Sequence, residues 1–434
     1  MSDEGFRPFV LGRYNVLKRL GQGGMAEVLL AEQPGPKGFA RRVTIKRVLP
    51  EHASATEFLQ MFRDEARLGM LLQHPNIVQV LDFHDDPLGA YLVMEFVHGA
   101  DLSALLRAMS QQKRHLPVKV SVFVAWSMLR GLSHAHSACS PDGKPLQLVH
   151  RDVSPSNVFL SLSGQVKLGD FGVAKALGRS TQTQVGVLKG KLRYMAPETL
   201  LTGQVDARAD LFAAGVVLWE SLATRVLFTG KTDFNVAEAV MKQPFQAPST
   251  LNPEVPPLLD EVVRRALEKD PLKRFQTARE FEQALFALLG GSHPDALGES
   301  LSELVRTHTR VIPAAELDAL PRPVRQEKLA APAPLDLPGL PPTSSVHTEP
   351  TRVAPAPKVA DWWEEPPPPP PPPVDDFFAP LLNSPRDAPA PSWPPNNEAT
   401  IPVGHAALVE ETLLEDPAEL EATIPDHPRR DGSR

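Results

Sequence analysis

The sequence predicts an α+β fold of two lobes, a small antiparallel sheet with one helix followed by a larger helical lobe, and a disordered tail behind them. Three observations predict it. Short alternating apolar runs fill the chain up to residue 96, apolar residues at three- and four-residue spacing take over from about residue 100, and 30 of the 47 prolines fall in residues 291–434.

Residues 1–13 read as an N-terminal arm and residues 14–96 as the small lobe. Its strands are VLKRL (16–20), EVLLAE (27–32), RVTIKRV (42–48), IVQVLDF (77–83) and YLVMEF (91–96), with the helix EFLQMFRDEARLGMLLQ (57–73) between the third and fourth. Residues 97–290 read as the large lobe, with helices over 117–137, 206–223, 233–243, 257–268 and 277–289 and a hairpin formed by VFL (158–160) and QVKL (165–168) around Ser163-Gly164. The tail, 291–434, includes eight consecutive prolines, Pro366 to Pro373, which favour a stiff extended segment, and repeats EATIP at 398–402 and 421–425.

Charge narrows the function classes. The formal net charge of -7 divides into +5 on residues 1–290, with 34 basic and 29 acidic side chains, and -12 on the tail, with 11 and 23. No lysine/arginine cluster is dense enough to track phosphates, so a nucleic-acid partner is not expected. One cysteine, Cys139, excludes an internal disulfide and a cysteine-based zinc site. MSDEGFRPF lacks a signal-peptide profile and no apolar run reaches the length of a membrane span, so a cytoplasmic chain is expected.

The polar residues converge on one chemistry. LGQGGMAEV (20–28) carries Gly21 and Gly23 between two strands, not between strand and helix as in a dinucleotide fold, and so reads as a flap whose bare backbone amides approach phosphates; a plain hairpin turn is the alternative. In the helix at 57–73, Phe58, Met61, Phe62, Leu68 and Leu72 mark one face and Glu65 lies on it, which requires a partner. Lys46 is the candidate, because strand alternation puts it beside Thr44 on one side of RVTIKRV; the pair is either a structural salt bridge or a phosphate-binding lysine held in place. The predicted hairpin brings Asn157, before its first strand, alongside Asp170, after its second. Two oxygens at one edge suit Mg²⁺, which keeps most of its waters and takes one or two protein ligands. Asp152, in the preceding loop, faces the same space and is placed to accept a hydroxyl proton, the alternative being loop carboxylates that cap turns.

In order, LGQGGMAEV, VTIK ending in Lys46, Glu65, HRD (150–152), Asn157, DFG (170–172) and APE (196–198) resemble a eukaryotic-type (Hanks-type) serine/threonine protein kinase of the group found in bacteria, over about residues 14–290. The resemblance implies ATP as phosphoryl donor, Mg²⁺ (Mn²⁺ as an alternative ion) and protein substrates. It assigns Lys46 to the α- and β-phosphates, Glu65 to holding Lys46, Asp152 to the catalytic base, and Asn157 and Asp170 to the metal. Leu20, Gly21, Gly23, Val28, Thr44, Met94, Glu95, Val97 and Phe159 would line the nucleotide pocket, with Asp101 at the ribose. Glu198 would pair with Arg274 and Asp210 would brace the catalytic loop. Autophosphorylation is expected in the activation loop, which holds Ser180, Thr181 and Thr183.

The chain departs from that family in two places. Ser154 stands where the family has a lysine that neutralises the γ-phosphate, and Lys191, in GKLRYMAPE, stands where it has a threonine. An exchange is expected, in which Lys191 supplies the ammonium and Ser154 the hydroxyl around Asp152. A non-catalytic scaffold acting through its proline-rich tail is the competing class, although Lys46, Asp152 and Asp170 are all retained. Thr400 and Thr423, in the two EATIP copies, are candidate phosphorylation sites for a phosphothreonine-binding domain, and the proline run for a proline-recognising one; unstructured filler is the plainer reading.

Overall fold

The computed structural model describes residues 6–24, 26–49, 51, 56–86, 89–140, 142–171, 190–203 and 205–323. The small lobe is a six-stranded sheet in the order β1-β2-β3-β4-β6-β5, built from β1 (Phe9–Leu11), β2 (Tyr14–Gln22), β3 (Ala26–Pro34), β4 (Ala40–Val48), β5 (Val80–Asp86) and β6 (Gly89–Glu95), all neighbours antiparallel. Alternation along β4 divides its residues between two apolar clusters. Val43 and Ile45 are buried with Leu11, Tyr14, Val16, Leu29, Tyr91 and Val93 on one side, while Val48 joins Leu92 and the helix α1 (Thr56–Leu71), through Phe62 and Ala66, on the other. Thr44 and Lys46 share the α1 side, across from Met94 and Leu92. The side chains of Phe58 and Met61 lie outside the described residues.

The run 77–83 read as one strand is divided. The strand itself starts at Val80, and residues 76–78 instead dock on the large lobe: Asn76 Nδ2 donates to the Val166 carbonyl at 2.9 Å, and Val78 N to the Leu168 carbonyl at 2.9 Å. An apolar alternation alone does not say which neighbour takes its backbone hydrogen bonds.

The large lobe packs α2 (Leu102–Gln111), α3 (Val118–His136), α4 (Pro197–Thr202), α5 (Ala207–Ala223), α6 (Asp233–Lys242), α7 (Pro257–Ala266) and α8 (Ala278–Leu288) around one apolar core, topped by the sheet β7 (Gly99–Asp101), β8 (Val158–Ser161) and β9 (Val166–Leu168). Helix α5 is buried on every side, so each of its polar residues needs a partner. Glu220 accepts from Tyr194 Oη at 2.8 Å and Leu227 N at 3.2 Å, and burial raises its carboxyl to about 7.

Two expected boundaries move. The arm is not free, since β1 pairs with β2 from Phe9↔Val16 to Leu11↔Tyr14. The tail does not start at residue 291: α9 (Pro294–His308) and α10 (Ala314–Ala319) continue the fold. Leu297, Leu301 and Val305 recur every four residues and are buried, an amphipathic signal hidden by the composition of the proline-rich region behind it. Helix α9 seats on the β8–β9 turn, where Gly164 has φ +79° and a Cβ on it would lie 2.3 Å from the Gly298 carbonyl oxygen, so a glycine is required there.

From α9 the chain crosses behind the inter-lobe connection and reaches the small sheet. His98 Nε2 donates to the Ile312 carbonyl at 2.7 Å, Glu316 lies 4.0 Å from Lys18, Asp318 pairs with Arg42, and Arg322 donates through two nitrogens to the buried Glu32 at 2.8 and 3.1 Å. Residues 311–322 thus form a strap joining the two lobes.

Leu301→Ala is expected to lower unfolding stability by about 2–5 kcal/mol, read by urea denaturation, whereas a change within 1 kcal/mol would show α9 to be peripheral. Glu220 gives a pH signature. Its folded-state value lies above its ordinary value of 4.5, so the folded state holds the proton more tightly. That contribution, up to about 3 kcal/mol, is present below pH 4.5 and lost as pH rises through about 7; Glu220→Gln should flatten the fall in stability between those pH values in thermal melts.

Candidate active site

The inter-lobe cleft is assembled from four pieces of backbone. Strand β4 carries Lys46 and α1 carries Glu65; Lys46 Nζ donates to Glu65 Oε1 at 2.6 Å and to Asp170 Oδ1 at 3.0 Å. Burial acts to lower the Lys46 ammonium, but the carboxylates of Asp170 and Glu65 more than offset it and hold Lys46 above its ordinary value. The same ammonium holds Asp170 below the usual carboxylate range, against burial, while burial pushes Glu65 up against the opposing pull of Lys46. The lysine is therefore charged and fixed between two elements of different lobes.

The β8–β9 hairpin supplies the second piece. Val158 pairs with Leu168, and Gly169 N donates to the Asn157 carbonyl at 2.9 Å, so Asn157 and Asp170 flank the same end of the hairpin. A Cβ on Gly169 would lie 2.8 Å from the Phe159 ring. Asn157 Nδ2 donates to the Asp152 carbonyl at 2.7 Å and to Asp152 Oδ2 at 3.0 Å, which turns its amide oxygen away from Asp152. Asp170 has φ +54° and uses Oδ1 for Lys46. An amide oxygen and a carboxylate oxygen at one hairpin end are hard donors of the kind Mg²⁺ takes.

The third piece is the loop His150–Asp152, held from beneath by Asp210 of α5. Its carboxylate, 1% exposed, accepts from His150 N at 2.7 Å, Arg151 N at 2.9 Å and His136 Nε2 at 2.8 Å. Arg151 is thereby kept at φ +62°, a conformation a non-glycine residue adopts at a cost of order 1–2 kcal/mol. His150 is fully buried, and burial lowers its pKa despite the nearby Asp210 and Asp152. The neutral ring has one donor and one acceptor: Nε2–H donates to the Gly169 carbonyl at 3.0 Å and Nδ1 accepts from Asp152 N at 3.2 Å. One imidazole thus ties Asp152 to the residue before Asp170. Neither His136 nor this role of His150 was read from the sequence; a histidine ending a helix, or opening a loop, has no local signal of its partner.

Residues 190–196 supply the fourth piece. Lys191 Nζ donates to Asp152 Oδ2, so the structure brings that ammonium to Asp152. The hydroxyl half of the expected exchange lies elsewhere, because Ser154 Oγ, 3% exposed, is 3.0 Å from Ser156 Oγ. Glu198 and Arg274 form a two-nitrogen, two-oxygen pair at 2.7 Å each, with the guanidinium fully buried and also bonded to the carbonyls of Arg208, Glu268 and Lys269.

The residues expected around the nucleotide lie on β2, β3, β4, β6 and β8, on the flap turn and on the segment that joins β6 to α2. Val28 faces Lys46 across β3 and β4, Thr44 faces Met94, and Gly21 pairs with Val28 beside a bulge, while Gly23 N closes the flap turn on Ala26 O at 2.8 Å. Leu20 is 40% exposed at the flap edge. The Glu95 carboxylate is already engaged, accepting from Gln79 N and Lys167 Nζ at 2.8 Å each, and its backbone N donates to the Gln79 carbonyl at 2.9 Å. Asp101 Oδ1 caps α2 by accepting from Ala104 N at 2.8 Å, and Val97 lies between β6 and β7. Ser180, Thr181, Thr183 and Gly172 lie outside the described residues.

The profile of the protein kinase domain family matches residues 14–286. Among similar proteins, the tyrosine-protein kinase MasK of Myxococcus xanthus is 42% identical over 64% of this chain and 43% of its own length. The probable serine/threonine-protein kinase SCO3848 of Streptomyces coelicolor is 37% identical over 64% of this chain and 40% of its own. The serine/threonine-protein kinase PknA of Mycobacterium tuberculosis is 33% identical over 65% of this chain and 63% of its own. The chain thus spans about two-fifths of the length of the first two. With the family profile covering more than half of its residues, and the cleft built on that profile's stretch, this chain belongs to the protein kinase family.

Proposed function

We propose that the chain transfers the γ-phosphoryl group of ATP to serine or threonine hydroxyls of proteins. The observation that carries the reading is the Lys46 ammonium held at once by Glu65 and Asp170, with Asp152 in the adjoining loop. Lys46 binds α- and β-phosphate oxygens, and Glu65 keeps it aimed. Asn157 and Asp170 would hold Mg²⁺, with Mn²⁺ as an alternative, and an ion held there would neutralise charge that develops on the phosphate oxygens. Asp152 orients the acceptor hydroxyl and takes its proton as the oxygen bonds to the γ-phosphorus and ADP leaves. Lys191, at Asp152, supplies the positive charge that Ser154 lacks. Leu20, Val28, Met94, the Glu95 and Val97 backbone and Phe159 enclose the adenine, and Asp101 lies at the ribose.

The scaffold reading is not favoured, because the polar residues it would shed are present and mutually engaged. A tyrosine acceptor is the second reading for the transfer itself, since a relative 42% identical bears the name tyrosine-protein kinase. For location, no helix among the described residues is long and apolar enough to cross a membrane; a cytoplasmic chain, whose tail meets phosphothreonine-binding or proline-recognising domains, completes the proposal.

Asp152→Asn is expected to lower kcat about 100- to 10,000-fold while ATP binding, followed by calorimetry with Mg²⁺, is retained. Peptides identical except for serine, threonine or tyrosine at one position decide the acceptor: faster transfer to tyrosine would replace the serine/threonine reading. Lys191→Thr should cost about 100-fold in kcat, and adding Ser154→Lys should recover at least about 10-fold of it. A double variant no better than either single one would mean that positions 154 and 191 are uncoupled.

A further inference from the structure

Two cavities open from the Asp152–Lys191 pair, and they differ in chemistry. Both are lined by Ser154, Lys191 and Tyr194. One, of about 390 Å³, has Arg151, Asp152 and Asp210 in its lining and continues along an apolar stretch formed by Met195, Ala196, Val205, Ala209 and Ala213. The other, of about 560 Å³, runs past Arg107, Arg193, Arg225 and Ser156. Among the described residues, none of those three arginines is in an ion pair, and Arg193 Nε is a buried donor with no hydrogen-bond partner. Glu220, the one acid on that wall, is buried and accepts from Tyr194 and Leu227; its charge acts on Arg193, and three arginines still face this single acid. Ser156 stands on the same wall as a neutral residue. An acceptor with a carboxylate on one side and an apolar residue on the other matches this pair of cavities, whereas an arginine-flanked acceptor meets like charge.

Such a segment occurs twice in this chain. EATIP, at 398–402 and 421–425, places Glu398 or Glu421 two residues before a threonine and Ile401 or Ile424 directly after it. Residues 398–426 carry eight acidic side chains and no lysine or arginine, so the surroundings have the charge sign that a cationic groove attracts. The activation-loop stretch GRSTQTQ has the opposite character, with Arg179 and no acid beside its hydroxyls.

We propose that Thr400 and Thr423 are acceptor sites of this kinase, because a glutamate two residues before the acceptor suits the charge of Arg107, Arg193 and Arg225 and an aliphatic residue after it suits the apolar stretch of the other cavity. The inference rests on the protein kinase reading above and specifies its substrate class, an acid-flanked threonine followed by an aliphatic residue. In the transfer, the threonine Oγ forms a bond to the γ-phosphorus, the bond from that phosphorus to the β-γ bridging oxygen breaks, ADP departs, and the hydroxyl proton passes through Asp152 to solvent. The product is a phosphothreonine followed by Ile-Pro.

The test uses the full chain and synthetic peptides. Full-length protein incubated with ATP and Mg²⁺ should gain phosphate at Thr400 and Thr423 by peptide mass mapping, and the gain should vanish at each site in Thr400→Ala and Thr423→Ala. A peptide spanning residues 395–405 should exceed its Glu398→Lys counterpart by about 10-fold in kcat/KM, and the double variant Arg107→Glu/Arg225→Glu should reverse that order. Equal use of the two peptides by active enzyme, or an active chain that leaves both threonines unmodified, overturns the acceptor assignment alone. Absence of transfer to either peptide and to myelin basic protein overturns the kinase reading with it.

Discussion

The cleft depends on one buried carboxylate. Asp210 sits on a helix with no solvent-facing side, and its two oxygens receive successive backbone amides of the loop that carries Asp152, with His136 as third donor. Two consecutive amides can point at one carboxylate only if the backbone turns sharply, which is what the left-handed conformation of Arg151 does. A buried acid without those donors would carry an uncompensated desolvation cost, so the helix core and the loop geometry stabilise each other. The neutral ring of His150 then passes the placement on, from the loop to the carbonyl preceding Asp170.

Above that base, the cleft is a balance of opposite charges. Glu65, Asp170 and Asp152 bring three carboxylates into a small volume, and Lys46 and Lys191 approach them from the sheet and from the segment before α4. Each ammonium ties together elements distant in sequence: Lys46 joins β4 to α1 and to the hairpin end, and Lys191 joins residues 190–196 to the loop. Such pairs specify geometry more surely than they add stability, because desolvation consumes much of the attraction. They also leave the site prepared for a polyanion, whose phosphates would share the same cations.

Much of this was legible in the sequence, for identifiable reasons. Strand alternation placed Lys46 on the α1 side, and the turn at Ser163-Gly164 brought Asn157 beside Asp170, because both follow from periods of two and from local turn chemistry. Position 191 was legible as a charge but its partner was only half so: the ammonium reaches Asp152, while the Ser154 hydroxyl takes a neighbour two residues away, a local competition that sequence spacing does not rank. Asp101 and Glu95 illustrate the same limit, since one caps a helix and the other answers a lysine and a backbone amide. Helix α9 escaped because three apolar residues at four-residue spacing are a weak signal beside a proline-rich composition, and its seat exists only once Gly164 and Gly298 meet.

The strap over residues 311–322 has a mechanical consequence. It holds the rear of the two lobes together through His98 and Ile312 and then grips three adjacent strands by Lys18, Glu32 and Arg42. Bonds from one strap to both lobes limit how far the lobes can part on that side. The last bond of the strap, from Arg322 to Glu32, falls on β3, the strand that follows the glycine flap, so the strap's end is anchored in the small lobe and not in the helical base.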